Sequence, residues 1–358
     1  MFAHLSLIGL LLAFAAAAAV VWVAGVYLSN TTDVLADRFH LGQAMGGLIL
    51  LSIATNLPEL AITASAAVHH SLGIAVGNIL GGIAIQTVVL VLLDVFGVGA
   101  EAPLTYKAAS LSLVLEATLV LAVLVVVVMG SQFPASVHFA RMTPASILIT
   151  VIWLAGLYLL GKARKGLPWQ EMGEAPDNQK TAAAATAQKK QDKQKQAGTP
   201  RTVIVFTLAS VATLVAGVVL QQSGEAIAGH IHMTGVLFGA TILAAATSLP
   251  ELSTGLAAVK LGDYQLAFSD IFGGNAFLPV LFLLADLLSG QAVLPQAQHS
   301  DIYLTGLGAL LTTVYIFGLI FRPKRQIGRM GIDSFFVLLL YVLGTIGLFA
   351  LTRAAGTR

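Results

Sequence analysis

Two short segments hold the residues best equipped for chemistry: Ala54-Thr55-Asn56-Leu57-Pro58-Glu59 and Ala246-Thr247-Ser248-Leu249-Pro250-Glu251. In each, the proline has no N–H to give the carbonyl four residues earlier, so a helix passing through it frees a backbone oxygen at Ala54 or Ala246. Threonine and glutamate stand four apart, which places a hydroxyl and a carboxylate on one helix face beside that oxygen. Thr55, Asn56 and Glu59 in one segment, and Thr247, Ser248 and Glu251 in the other, are therefore candidate hard-oxygen ligands. The chain has no cysteine, and neither segment holds a histidine. An all-oxygen set suits calcium or an alkali cation rather than zinc or copper, and two carboxylates balance one divalent ion.

Each segment is followed by a glycine-pair stretch, Gly77-Asn78-Ile79-Leu80-Gly81-Gly82 and Ser269-Asp270-Ile271-Phe272-Gly273-Gly274-Asn275. The glycines permit close backbone approach. Asn78, Gln86, Asp270 and Asn275 are polar groups in apolar runs, need partners, and join the candidate ligand set. Asp94 and Asp286 end these runs and are expected at helix ends, within reach of water and headgroups, as structural caps or a gate. Glu116 has no counterpart, since Gly308 takes the matching position; it is read as bonding a neighbouring helix, with carrying protons as the alternative. His69, His70, His230 and His232 are expected in solvated outer loops.

The elements that position these residues must sit in lipid. Of 358 residues, 57% are apolar and 10% charged, and the mean hydropathy is +0.87, outside the balance of a soluble domain. Ten apolar stretches approach the roughly 20 residues a bilayer core requires: 5–28, 42–68, 73–96, 108–129, 143–161, 202–222, 235–259, 265–288, 302–321 and 332–352. The first lacks a basic leader and outlasts the apolar run of a signal peptide, so it is read as a retained span. At about 1.5 Å per residue, Glu59 lies roughly 14 Å from the outer end of its span and Glu251 roughly 12 Å from the inner end of its own. A carboxylate near the midplane costs about 2.5–3.5 kcal/mol on insertion scales and marks function. No Lys or Arg lies inside any of the ten stretches to pair with one.

Residues 54–94 and 246–286, offset by 192, share 15 identities in 41 positions, including both Pro-Glu pairs, both glycine pairs and both aspartates. An internal duplication with five spans per copy turns the second copy over in the membrane. The expected fold is thus an all-α membrane protein of ten transmembrane helices in two inverted five-helix repeats, residues 1–161 and 202–358. A Lys-, Gln- and Ala-rich linker at 162–201 joins them. Inverted repeats with interrupted helices point to a secondary transporter with its site at the midplane. Sorting the loops alternately puts sixteen of the 19 Lys and Arg on the linker side. By the positive-inside rule this side is cytoplasmic and both termini face outside, in a cell (inner) membrane. The net charge of +2 reflects orientation and contact with lipid, not nucleic-acid binding.

The paired Thr-Asn/Ser-Leu-Pro-Glu segments, each followed by Gly-Asn or Ser-Asp and Gly-Gly, resemble the alpha repeats of the calcium/cation antiporter superfamily, the sodium/calcium exchanger group. The resemblance spans both halves. It implies that Glu59, Glu251, Thr55 and Thr247 coordinate calcium and the exchanged cation. Where the family has Gly-Ser-Asn, this chain reads Gly81-Gly82-Ile83 and Gly273-Gly274-Asn275. Four residues beyond those serine positions, where sodium exchangers carry Asn or Asp, it has Gln86 and Leu278. The resemblance therefore shifts toward the proton-coupled branch, in which two glutamates serve one calcium.

The expected activity is secondary active exchange of calcium for sodium or protons. A cation channel, or an antiporter for a different cation, is the alternative. The chain contains neither a His-Glu-x-x-His helix nor a Gly-x-Ser-x-Gly elbow, the usual marks of a zinc protease or serine hydrolase. No cofactor is expected, only the transported ions and the lipid bilayer.

Overall fold

A computed structural model describes residues 5–38, 47–99, 102–163, 166–168 and 198–356. Helices dominate, with one short hairpin, β1 (Gln326–Ile327) and β2 (Met330–Gly331), before the last helix. In chain order they are α1 (Leu7–Arg38), α2 (Gly47–Thr55), α3 (Leu57–Val68), α4 (Leu72–Leu93), α5 (Leu104–Ala108), α6 (Leu111–Gly130) and α7 (Pro144–Ala163). There follow α8 (Thr199–His230), α9 (Gly235–Phe238), α10 (Ala244–Thr247), α11 (Leu249–Lys260), α12 (Tyr264–Phe277), α13 (Leu281–Ser289), α14 (His299–Phe321) and α15 (Ile332–Gly356).

Among the described residues, eight helices are long and apolar enough to span a membrane, and a ninth forms if the bent pair Gly235–Thr247 and Leu249–Lys260 counts as one. The expected span at 42–68 begins in residues outside the description, and its described part is α2 and α3. Most of the expected linker, residues 169–197, also lies outside it. Two spans are longer than expected: α1 and α8 each run 32 residues. His230 is consequently the last residue of α8 rather than part of a loop, although it remains exposed, as do His69, His70 and His232.

Both Pro-Glu segments interrupt a helix. Asn56, at φ −90° and ψ 15°, separates α2 from α3, and Ser248, at φ −83° and ψ 3°, separates α10 from α11. In each case proline occupies the first turn of the following helix, where its missing N–H costs nothing. The second pair bends by 41°. A π-helical turn, Gly239–Leu243, precedes α10. In α12 the helix passes unbroken through Asp270 and tightens to a 3-10 turn only at Leu278–Val280, where Pro279 removes a donor.

Glycines let the two halves approach one another backbone to backbone. A β-carbon on Gly77 would lie 2.9 Å from Cα of Val236, one on Gly239 would lie 2.9 Å from the amide nitrogen of Asn78, and one on Gly81 would collide with Cα of Ala240. The long helices repeat the device. Gly25 of α1 leaves room for Pro250, whose Cβ would be 2.5 Å from an added β-carbon, and Gly217 of α8 does so for Ala61 Cβ (2.7 Å) and the carbonyl of Pro58 (2.9 Å). Gly25 and Gly217 are themselves 192 apart, so each half supplies a glycine that seats the other half's broken helix.

Asp94 and Asp286 correct the expectation of solvated helix ends, because both are completely buried. Asp94 accepts hydrogen bonds from the Leu104 amide (2.8 Å), the Gly331 amide (2.7 Å) and the Ser334 hydroxyl (2.7 Å). Asp286 accepts from the Val293 amide (2.9 Å) and from the amide (3.2 Å) and hydroxyl (2.9 Å) of Thr143. Each aspartate thus ties the loop of its own half to the start of the last helix of the other half. The capping role holds, but the donors are protein groups, as a buried carboxylate demands.

Candidate functional site

Glu59 and Glu251 each enter on the first turn after a break, so the proline that stops one helix also sets the carboxylate at the start of the next. Both glutamates are completely buried. They lie close enough for their charges to interact, and Asp270 adds a third charge that bears on Glu251. Burying like charges together is costly unless a cation or protons neutralise them.

The surrounding groups come from both halves. The Gln86 amide of α4 donates to Asn56 Oδ1 and to Glu251 Oε1, each at 3.3 Å. Thr247 stands beside Glu59, but its hydroxyl hydrogen is directed to the Ala244 carbonyl (3.2 Å) or to Asn78 Oδ1 (3.5 Å). Asp270 accepts from the Thr254 hydroxyl at 2.6 Å, and that hydroxyl also reaches the Glu251 carbonyl at 3.1 Å. Pairwise hydrogen bonds and charge interactions therefore connect Glu59, Glu251, Asn56, Asn78, Gln86, Thr247 and Asp270 to one another in a chain that crosses between the two halves.

Three predicted residues stand differently. The Thr55 hydroxyl turns back to the Leu51 carbonyl (3.1 Å), and the Ser248 hydroxyl to the Ala244 carbonyl (2.8 Å). Such back-bonding satisfies a hydroxyl within its own helix. Asn275 reaches α4 through a 3.1 Å bond from its amide to the Thr87 hydroxyl, not to either glutamate. Sequence reasoning missed Thr87, Thr254 and Ser52, whose carbonyl accepts from the Asn56 side chain at 2.7 Å. Ser52 lies four residues before Asn56 and Thr254 three after Glu251, so helical spacing from the named ligands would have found both.

The chemistry of the site is visible in what it leaves unpaired. Both oxygens of Glu59, Glu251 Oε2, Gln86 Oε1 and Asn275 Oδ1 are buried without a hydrogen-bond donor. Buried acceptors ordinarily find donors, and a surplus of acceptors is what a cation can satisfy. Among the described residues no three His, Cys, Asp or Glu side chains form a metal cluster, so a bound ion must draw amide, hydroxyl or backbone oxygen and water to the glutamate pair. Calcium, which takes 6–8 oxygens in flexible geometry, suits such a mixed shell.

Comparison with known proteins follows the same line. The family model described as sodium/calcium exchanger protein matches residues 9–161 and 201–350. The chain is 26% identical over 345 residues to inner membrane protein YrbG of Escherichia coli (strain K12), covering 96% of this chain and 97% of that protein. Its fold matches an H+/Ca2+ exchanger CAX at a TM-score of 0.59 and 12% identity, over 96% of this chain and 88% of that one. It also matches the sodium-calcium exchanger NCX_Mj at a TM-score of 0.57 and 16% identity, over 96% and 100%.

Proposed function

The chain belongs to the sodium/calcium exchanger protein family, a multi-pass helical membrane protein, and from that premise we propose that it exchanges calcium for protons across the inner membrane. The observation that carries this reading is the pair of fully buried glutamates, one from each broken helix, with three of their four carboxylate oxygens lacking a donor. Calcium held between them is neutral overall. Without it, protons must take its place, so calcium and protons compete for the same oxygens. Competition at one site, exposed alternately to the two sides of the membrane, is antiport.

The proposed framework is ten helices in two inverted repeats, residues 1–161 and 202–358, joined by a cytoplasmic linker at 162–201 with both termini outside. The reciprocal seating of Gly25 and Gly217 and the reciprocal ties of Asp94 and Asp286 support it. A cavity of about 70 Å³ whose walls include Ser29, Asn30, Thr254, Asp263 and Asp270 reaches Thr254 and Asp270, the neighbours of Glu251, from the end of α11 that this topology places inside.

Protons are favoured over sodium by the region beside Gly82. A β-carbon there would meet Leu278 Cδ1 at 3.2 Å, and Leu278 is fully buried. Leu278 offers a methyl group rather than an oxygen to this region, and Gln86 brings an N–H donor rather than a carboxylate toward Glu251. In proteoliposomes an outwardly directed proton gradient, with the lumen acidic, will drive calcium accumulation and an inwardly directed one will not, and a sodium gradient of equal size will drive none in either direction. Sodium-driven uptake would overturn the coupling. Calcium passage that dissipates without either gradient would establish a channel.

A further inference from the structure

Glu116 is buried on α6, with 3% of its surface exposed, and has no acidic counterpart in the internal repeat, where Gly308 takes the matching position. The Ser269 hydroxyl donates to its Oε2 at 2.7 Å, as the sequence led us to expect. Beside it lies a cavity of about 30 Å³ bordered by Glu116, Ser52, Ser269 and Gly273, with Leu119 and Trp153 among its apolar walls. That volume exceeds the roughly 10–15 Å³ a cavity needs to admit a water molecule. Calcium would find there one carboxylate and two serine hydroxyls, short of the 6–8 oxygens it takes.

Resting on the antiport reading above, we propose that Glu116 is a separate protonation site, taking one proton from water in this chamber to become a neutral carboxyl and returning it on the opposite half-cycle. Its position couples it to the ion. Ser269 adjoins Asp270, and Ser52 holds the Asn56 side chain that bonds Gln86. An ionised Glu116 adds negative charge behind the pair and favours calcium, while a protonated one does not. By linkage, calcium and the proton then disfavour one another by the same factor.

The other titratable groups on the packed elements have partners of their own, and Asp301 of α14 accepts from the Gln298 amide at 2.7 Å. Asp270 of α12 binds Thr254. Tyr315 of α14 packs its ring on Phe268 and turns its hydroxyl to Ser334. Lys162 of α7 lies over the Tyr158 ring.

Infrared pH-difference spectra of the purified protein test the site without relying on transport. Wild type will show a carboxylic C=O band that Glu116→Gln lacks and Glu59→Gln keeps, and a band unchanged in Glu116→Gln overturns the proposal. In proteoliposomes Glu116→Gln will flatten the dependence of calcium flux on pH, and at alkaline pH, where wild-type Glu116 is ionised, its KM for calcium will be about tenfold above wild type, equivalent to ~1.4 kcal/mol of coupling. A wild-type pH profile in this variant would equally overturn the proposal. If wild type moves no calcium yet the Glu116 band is present, the antiport reading fails and the protonation site stands.

Discussion

Glu251→Gln will cut proton-driven calcium flux at least about a hundredfold, and Glu59→Gln will do the same. Gln keeps the shape of the side chain and can still accept from the Gln86 amide as Glu251 Oε1 does, so the fold is retained. The substitution removes one of the two negative charges that neutralise a divalent ion. Removing one partner of a buried charge interaction costs about 3–5 kcal/mol, and 3 kcal/mol is already roughly a hundredfold in affinity. Flux of isotopic calcium into proteoliposomes, with elution volume and thermal unfolding as controls for folding, measures this. Near-wild-type flux in either variant contradicts the assigned role.

Adjacent glycines will respond oppositely to the same added methyl. Gly81→Ala places a β-carbon against Cα and the carbonyl of Ala240, which is backbone, and it drives α4 away from the π-helical turn that leads to Thr247. Overpacking against groups that cannot yield costs about 1–3 kcal/mol or more, so this variant will lose thermal stability in detergent and most of its flux. Gly82→Ala meets only the end of the flexible Leu278 side chain, at 3.2 Å, and will unfold close to the wild-type temperature. Equal unfolding temperatures for Gly81→Ala and wild type would show that the close approach of the two halves is not what holds the site together.

The breaks and their glutamates were legible because proline chemistry is local and the repeat marks it twice. The extent of α1 and α8 was not, since hydropathy records only the apolar run. Beyond it, Asn30 and Thr31 bond the carbonyls of Val26 (2.8 Å) and Tyr27 (2.7 Å), and Ser223 that of Val219 (2.6 Å). Polar residues that satisfy themselves within the helix let it continue. The burial of Asp94 and Asp286 was hidden for a different reason. Their donors, Gly331, Ser334 and Thr143, belong to the opposite half, far away in the chain, and no local pattern announces such a partner. Gly25 and Gly217 were readable, being 192 apart, but they lie outside the segment in which the duplication is most evident. The inward turn of the Thr55 and Ser248 hydroxyls follows from rotamer choice, which residue spacing does not determine.

The central claim is that one glutamate from each half holds a single calcium ion through oxygen alone. Equilibrium calcium binding to purified protein, measured as ions per chain, addresses it most directly. The account predicts one saturable site in wild type, displaced by protons, and no measurable site in Glu59→Gln or Glu251→Gln. Saturable binding that survives in both variants, at wild-type affinity, would place the ion elsewhere and contradict it.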